Sequence, residues 1–261
     1  LVQGDVGCGK TVVAALAALA AMASGHQVAM MAPTDLLADQ HARSFRHWLE
    51  PLGVKVAFIS GRLRREERVN VLQDLSEGKI GMAVGTHALF QDDVEFSKLG
   101  LVIIDEQHRF GVHQRLALRK KGVREDVVPH QIIMTATPIP RTLAMTGYAD
   151  LDLSVIDERP PGRTPVKTVV LPQSRKPEIT ARIEDWVRQG RQAYWVCTLI
   201  EESEALQAEA AESAANTLKG ALPSLRVELV HGRLKPREKE AIMLAFKAGE
   251  IDLLVATTVI E

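Results

Sequence analysis

The sequence is poor in aromatic residues, poor in cysteine and almost without net charge, and each shortage removes a class of protein. Two cysteines, Cys8 and Cys197, cannot build a disulfide framework, which favours a reducing, cytosolic setting. No apolar run approaches the roughly 18 residues of a membrane-spanning helix, and no signal peptide is visible, so no membrane partner is expected. The net charge is -1, from 32 Lys and Arg against 33 Asp and Glu, so no global basic field announces a nucleic-acid partner. Any such surface must be local. Aromatics are only 4%, and the abundance of Ala, Val and Leu in their place suits helices packed on a parallel sheet. What remains is ordinary for a globular protein: 46% hydrophobic, 25% charged, and 261 residues, enough for two ordinary domains. The chain opens at Leu1 inside what reads as a strand, so an upstream segment is expected.

Short β-branched runs alternate with helical spacing. Residues 27–32, 55–60, 80–84, 101–104 and 131–134 read as strands, with helices over 10–23, 36–49 and 65–77 between them. That alternation predicts a parallel sheet covered on both faces. Leu101-Val102-Ile103-Ile104 has no polar alternation, as a strand buried on both sides requires. At residues 158–165, three prolines and a glycine in eight residues can continue neither a helix nor a central strand. This segment reads as a linker, dividing a first domain over 1–157 from a second over 166–261. Beyond it the alternation predicts strands at 166–171, 193–198, 226–231 and 252–257, and helices at 176–189, 203–222 and 237–248.

The two halves resemble each other. Gly61-Arg62-Leu63 recurs as Gly232-Arg233-Leu234, an offset of 171 (232 − 61), and at that offset Glu67 meets Glu238, Gly78 meets Gly249, Ile80 meets Ile251, Val84 meets Val255 and Thr86 meets Thr257. Both halves read as copies of one α/β unit, the second stopping short at Glu261.

Gly4-Asp5-Val6-Gly7-Cys8-Gly9-Lys10-Thr11 fits the phosphate-binding loop pattern G-x-x-x-x-G-K-[ST], between a strand at 1–3 and a helix. Its glycines let backbone N–H groups turn toward a phosphate, and the following helix offers its positive end. Lys10 is placed to reach the β- and γ-phosphates of ATP, and the Thr11 hydroxyl to hold Mg²⁺. Asp105 and Glu106 end the apolar strand of residues 101–104, at the strand end where open α/β sheets bind ligands. Asp105 suits Mg²⁺, and Glu106 suits polarising the attacking water. Thr135 and Thr137 follow another apolar strand and can bridge the nucleotide site to a neighbour. Pro33 and Thr34, and Gly85, Thr86 and His87, also follow strands, where backbone N–H groups and hydroxyls can bind a phosphate backbone without reading bases. His231, Gly232, Thr257 and Thr258 sit at the corresponding places of the second half. The repeat therefore predicts a groove along one strand of a duplex. Residues 109–124 add Arg109, Arg115, Arg119, Lys120, Lys121 and Arg124 with no acidic residue, which reads as either a solvated helix face or a nucleic-acid surface.

Asp105-Glu106-Gln107-His108 resembles the D-E-x-H box of superfamily 2 helicases and translocases, and Thr135-Ala136-Thr137 resembles that superfamily's T-A-T motif. The likeness extends through residues 105–115, 135–144 and 156–165, and over these stretches the chain resembles the RecG family of branched-DNA helicases. The resemblance implies two tandem RecA-like P-loop domains of α/β class. It implies an ATP- and Mg²⁺-dependent motor of 3'-to-5' type on duplex DNA that remodels stalled forks and Holliday junctions in recombination and repair, within a bacterial, nucleoid-associated cytoplasm. It also implies that His108 senses the γ-phosphate, that Gln107, Thr135, Thr137 and Arg141 couple hydrolysis to movement, and that a single-strand-binding protein is a partner at forks. The family's branch-recognising wedge would precede Leu1, and its arginine-bearing motif would follow Glu261, so residues 1–261 alone are expected to be nearly inactive. Three alternatives stay open. The transcription-repair coupling factor shares most boxes but is similar to Asp-Glu-Glu-His at the second, so Gln107 favours RecG. A nucleotide-switched clamp without turnover is opposed by Lys10, Asp105 and Glu106. An RNA helicase is disfavoured by the long match through Arg109 to Arg115.

Overall fold

The structure, a computed structural model, describes residues 1–61, 63–106, 128–137, 151–158, 160, 162–197 and 204–257. It divides into two compact units, Leu1–Pro165 and Val166–Glu261.

The first unit is a seven-stranded, wholly parallel sheet. Its strands are β1 (Val2–Gly4), β2 (Gln27–Met31), β3 (Val56–Ile59), β4 (Met82–Gly85), β5 (Leu99–Asp105), β6 (His130–Thr135) and β7 (Ser154–Ile156). They lie in the order β3-β4-β2-β5-β6-β1-β7. Helices α1 (Lys10–Ala23), α2 (Asp35–Leu49) and α3 (Arg65–Ser76) make the crossovers from β1 to β2, β2 to β3 and β3 to β4 that parallel strands need. Both faces of the sheet are covered. On β5, Leu101 and Ile103 enter the core under α1 and α2, while Val102 and Ile104 enter the one containing Leu75 of α3. This is why that strand reads as an unbroken apolar run rather than as an alternation.

The second unit holds α4 (Lys176–Arg188), β8 (Ala193–Val196), α5 (Glu204–Ala221), β9 (Val227–Val230), α6 (Pro236–Lys247) and β10 (Leu253–Ala256). Its strands are parallel in the order β8-β10-β9. The offset of 171 seen in the sequence is carried into the backbone. It maps β3 onto β9, α3 onto α6 and β4 onto β10, end for end, and β3-β4-β2 runs in the same spatial order as β9-β10-β8. Side chains repeat the pattern. Gln27 Nε2 donates to the carbonyls of Leu75 and Ile80, and Gln192 Nε2 donates to those of Phe246 and Ile251, the same two positions 171 residues on. Gly78 and Gly249, with φ of 77° and 76°, end the equivalent helices in the left-handed conformation that glycine adopts without steric cost.

One expectation fails locally, and one strand goes unforeseen. No strand forms at 166–171, where Val166, Val169 and Val170 are 81%, 65% and 96% exposed. Its β-branched residues have strand propensity, but propensity makes a strand only where a partner edge supplies hydrogen bonds, and this stretch pairs with none among the described residues. The sequence also gives no sign of β7, a three-residue edge strand whose register against β1 pairs Gly4 with Ile156. No helix among the described residues is long and apolar enough to cross a membrane.

Candidate active site

Strand order gathers the motifs at one edge. At the C-terminal ends of adjacent strands lie Asp105 on β5, Thr135 on β6 and Gly4 on β1, with Asp105 in register with Met134 and Thr135 with Gln3. The end of β4 at Gly85 and the loops after β2 and β4, which carry Pro33-Thr34 and Thr86-His87, lie along the same edge on the far side of β5.

The loop from Gly4 to Thr11 is shaped by its glycines. A side chain at Gly4 would put Cβ 2.5 Å from Cys8 Sγ and 3.0 and 3.1 Å from Cβ and O of Ile156, so glycine lets the loop and β7 approach closely. Gly7 and Gly9 have φ of 80° and 99°, which any other residue would adopt only under strain. Gly9 begins α1 without a side-chain cap, so the amides of the helix start keep their positive end for an external acceptor. Cys8 N–H donates to Asp5 O, and Val6 N–H to Asp5 Oδ1 at 2.7 Å. Lys10 Nζ donates to the carbonyls of Gly4 and Asp5 at 2.7 and 2.9 Å, which lays the ammonium across the loop. Thr11 is half-buried at the helix start.

Asp105 is 9% exposed and Glu106 follows it with φ 48°, the sole positive φ outside glycine among the described residues. Such a conformation costs on the order of 1–3 kcal/mol and persists only where the surroundings fix it. Here they do. Glu106 N–H donates to Met134 O and Asp105 Oδ1, and the Glu106 carboxylate accepts from Ala136 N–H at 3.3 Å and Thr135 Oγ1 at 3.5 Å. Thr137 N–H donates to Thr135 Oγ1. The second carboxylate of the pair is thus joined directly to the Thr135-Ala136-Thr137 segment.

One residue at this edge escaped the motif reading, and a second was read only as part of the stretch 156–165 that carries the resemblance. His41 of α2 meets Asp105, Nε2 to Oδ2, at 2.7 Å in a buried pair. A polar ring in the otherwise apolar stripe Ala38, Ala42, Phe45, Leu49 was the available signal. Arg163, in the proline-rich segment, donates to Val6 O at 2.7 Å and lies 3.3 Å from Asp5 Oδ1, while Pro160 packs near Gly7. The segment expected to act as a linker therefore fastens onto the phosphate loop.

The residues expected along DNA divide into two kinds. Thr34 Oγ1 accepts Leu37 N–H as the cap of α2, and Thr86, 3% exposed, donates to Asp35 Oδ1, so both hydroxyls are engaged within the protein. Gly85 is a packing requirement, since a Cβ there would fall 2.3 Å from Ile59 O. Pro33 is half-buried and His87 exposed. In the second unit Gly232 is exposed, while His231 and Thr257 are buried. Gln107, His108, Arg141 and Thr258 lie outside the described residues, as does the basic stretch 109–124.

Residues 1–146 match the DEAD/DEAH box helicase family, and residues 175–261 match the helicase conserved C-terminal domain, so two RecA-like domains stand in tandem. The ATP-dependent DNA helicase RecG of Escherichia coli strain K12 is 63% identical over the whole chain, and that of Aquifex aeolicus 49%. A structure of RecG bound to a three-way DNA junction is 41% identical and superposes over the whole chain with a TM-score of 0.77. The chain spans 38% of the Escherichia coli protein, and 33% both of the Aquifex protein and of the chain in that structure. By the match over its first 146 residues, the chain belongs to the DEAD/DEAH box helicase family.

Proposed function

We propose that this chain is the ATP-hydrolysing motor of a helicase that acts on branched DNA, stalled forks and Holliday junctions among them. Residues 1–157 and 166–261 are its two motor domains and 158–165 the segment between them. The observation that carries this reading is the meeting of the phosphate loop, the Asp105-Glu106 pair and the Thr135 segment at the ends of three adjacent strands.

In this reading the amides of the glycine loop and the start of α1 bind the phosphates of ATP, and Lys10 exchanges its loop carbonyls for β- and γ-phosphate oxygens. The donors suit Mg²⁺: a hydroxyl with one carboxylate is the usual protein share of a Mg²⁺ site completed by phosphates. Thr11 and Asp105 would hold the ion, whose charge would offset that of the phosphates. Glu106, aimed by Ala136 N–H and Thr135 Oγ1, orients the attacking water and takes its proton on a carboxylate oxygen. Because the same oxygens contact the Thr135-Ala136-Thr137 segment, movement there and the position of the base are linked. Gln107, His108 and Arg141 complete this coupling by resemblance. The loops at Pro33-Thr34, Gly85–His87, His231-Gly232 and Thr257-Thr258 meet phosphates, through backbone N–H groups where the hydroxyls are already engaged. The setting is the bacterial cytoplasm at the nucleoid, with a single-strand-binding protein as partner at forks.

The test is to compare unwinding of a DNA fork, a Holliday junction and an RNA duplex by the intact protein with ATP and Mg²⁺. The reading expects the two DNA junctions to be opened and the RNA duplex not. Equal or preferential opening of RNA would overturn it.

A further inference from the structure

Asp105 is held from two sides. Its Oδ1 accepts Glu106 N–H at 3.1 Å and its Oδ2 lies 2.7 Å from His41 Nε2. With a partner on each oxygen, the carboxyl group has one orientation about its Cβ–Cγ bond, and each oxygen keeps a lone pair for a further ligand. An ionised carboxylate only accepts hydrogen bonds, so the proton of a neutral His41 ring resides on Nε2.

Packing alone gives no reason for this histidine. The buried stripe of α2 is Ala38, His41, Ala42, Phe45 and Leu49, and the His41 ring lies 6.5 Å from that of Phe45, a contact an apolar ring would make equally well. Burying an imidazole costs free energy unless a partner takes its polar atoms. The partner here is the carboxylate that ends β5, reached across 64 residues of chain.

We propose that His41 is a positioning residue that presets the Asp105 carboxylate to receive Mg²⁺ with the nucleotide. The proposal rests on Asp105 being the metal carboxylate. It places the second support of the metal site in a helix outside the phosphate loop and the Asp-Glu pair. Partners in this outer position around a metal ligand typically contribute tenfold to a hundredfold in metal affinity.

The experiment uses the intact protein with a non-hydrolysable ATP analogue and Mn²⁺ as a paramagnetic stand-in for Mg²⁺, the free ion being followed by its electron spin resonance. Four variants are titrated. His41→Phe keeps a ring against Phe45 and removes the N–H. His41→Gln can return an amide N–H to nearly the same place, whereas His41→Asn is too short to do so. Asp105→Asn is the reference for loss of the metal carboxylate. The half-saturating Mn²⁺ concentration is expected to rise about tenfold or more in His41→Phe and His41→Asn and to stay within about threefold of the unchanged protein in His41→Gln. Analogue binding without metal is expected to be equal in the unchanged protein and the three His41 variants. Should His41→Phe fail to fold, the contrast between Gln and Asn decides. Unshifted titrations in His41→Phe and His41→Asn beside a shifted Asp105→Asn would overturn the role of His41 alone. An unshifted Asp105→Asn would overturn instead the assignment of Asp105 to the metal.

Discussion

Lys10 and Asp105 touch different partners, and the difference separates their variants. The ammonium of Lys10 lies over the loop on the carbonyls of Gly4 and Asp5, whereas Asp105 is buried between His41 and the Glu106 amide. Lys10→Ala is therefore expected to weaken ATP binding with or without Mg²⁺ and to leave the thermal unfolding midpoint within a degree or two. Asp105→Asn is expected to weaken only the Mg²⁺-dependent part, read by titrating a fluorescent ATP analogue with and without the metal. Equal metal-free losses in both would contradict the division. At this scale the sequence is legible where a motif fixes spacing, as in Gly4 to Thr11. It is not legible where the partner is remote. Nothing in the residues around His41 says that Asp105 will lie beside it, since strand order alone brings β5 next to β2, from which α2 follows. The same is true of the Glu106 carboxylate and Ala136, 30 residues on.

Secondary elements are legible in proportion to how much of their stability is their own periodicity. α1, α2 and α3 and the strands buried on both faces are found within a few residues of the expected ends, because apolar spacing both writes and stabilises them. The presence of β7 and the absence of a strand at 166–171 are decided by edges that the local sequence does not contain. The proline-rich segment holds Arg163 on the phosphate loop by an exposed contact to Val6 O and Asp5. An exposed pair of this kind contributes on the order of 0–1 kcal/mol. Arg163→Ala is therefore expected to raise KM for ATP less than about fivefold with little change in kcat. A fall in kcat of about a thousandfold would make Arg163 a transition-state arginine instead. In the second unit, Arg226 bonds Asp252 through Nε and Nη2 at 2.9 and 2.6 Å and through its backbone N–H at 2.8 Å, holding that carboxyl below its ordinary value of 3.8, chiefly by the side-chain hydrogen bond. A carboxylate with a lowered folded-state pKa stabilises the fold above its unfolded value, and the contribution is lost as pH falls through the lower one. Asp252→Asn is expected to cost about 1 kcal/mol at pH 7, discounted for the exposure of Arg226. The gap to the unchanged protein should close as pH drops below 3.8, as thermal melts across pH would reveal. A gap independent of pH would assign the effect to packing.

The molecule is two versions of one α/β unit, and the offset of 171 that relates them in sequence also maps the strands, the helix and the glutamine-bonded carbonyls of one version onto those of the other. Each version ends its strands in loops of small and polar residues at one edge, an arrangement that suits phosphates better than bases. Affinity of the intact protein for a fork is accordingly expected to fall linearly on a log–log plot against salt and to be indifferent to base sequence at fixed DNA shape, as fluorescence anisotropy would measure. A strong sequence preference at matched salt would contradict it. Under the proposed function, hydrolysis at the Gly4–Thr11 and Asp105-Glu106 site drives the opening of branched DNA. The most direct measurement is single-turnover ATP hydrolysis and fork unwinding by the intact protein carrying Glu106→Gln, which keeps the shape and the acceptor oxygen of the side chain and removes the base. Expected are normal ATP binding, hydrolysis slower by about a hundredfold or more, and unwinding lost in proportion. Hydrolysis or unwinding at the rate of the unchanged protein would contradict the proposed function.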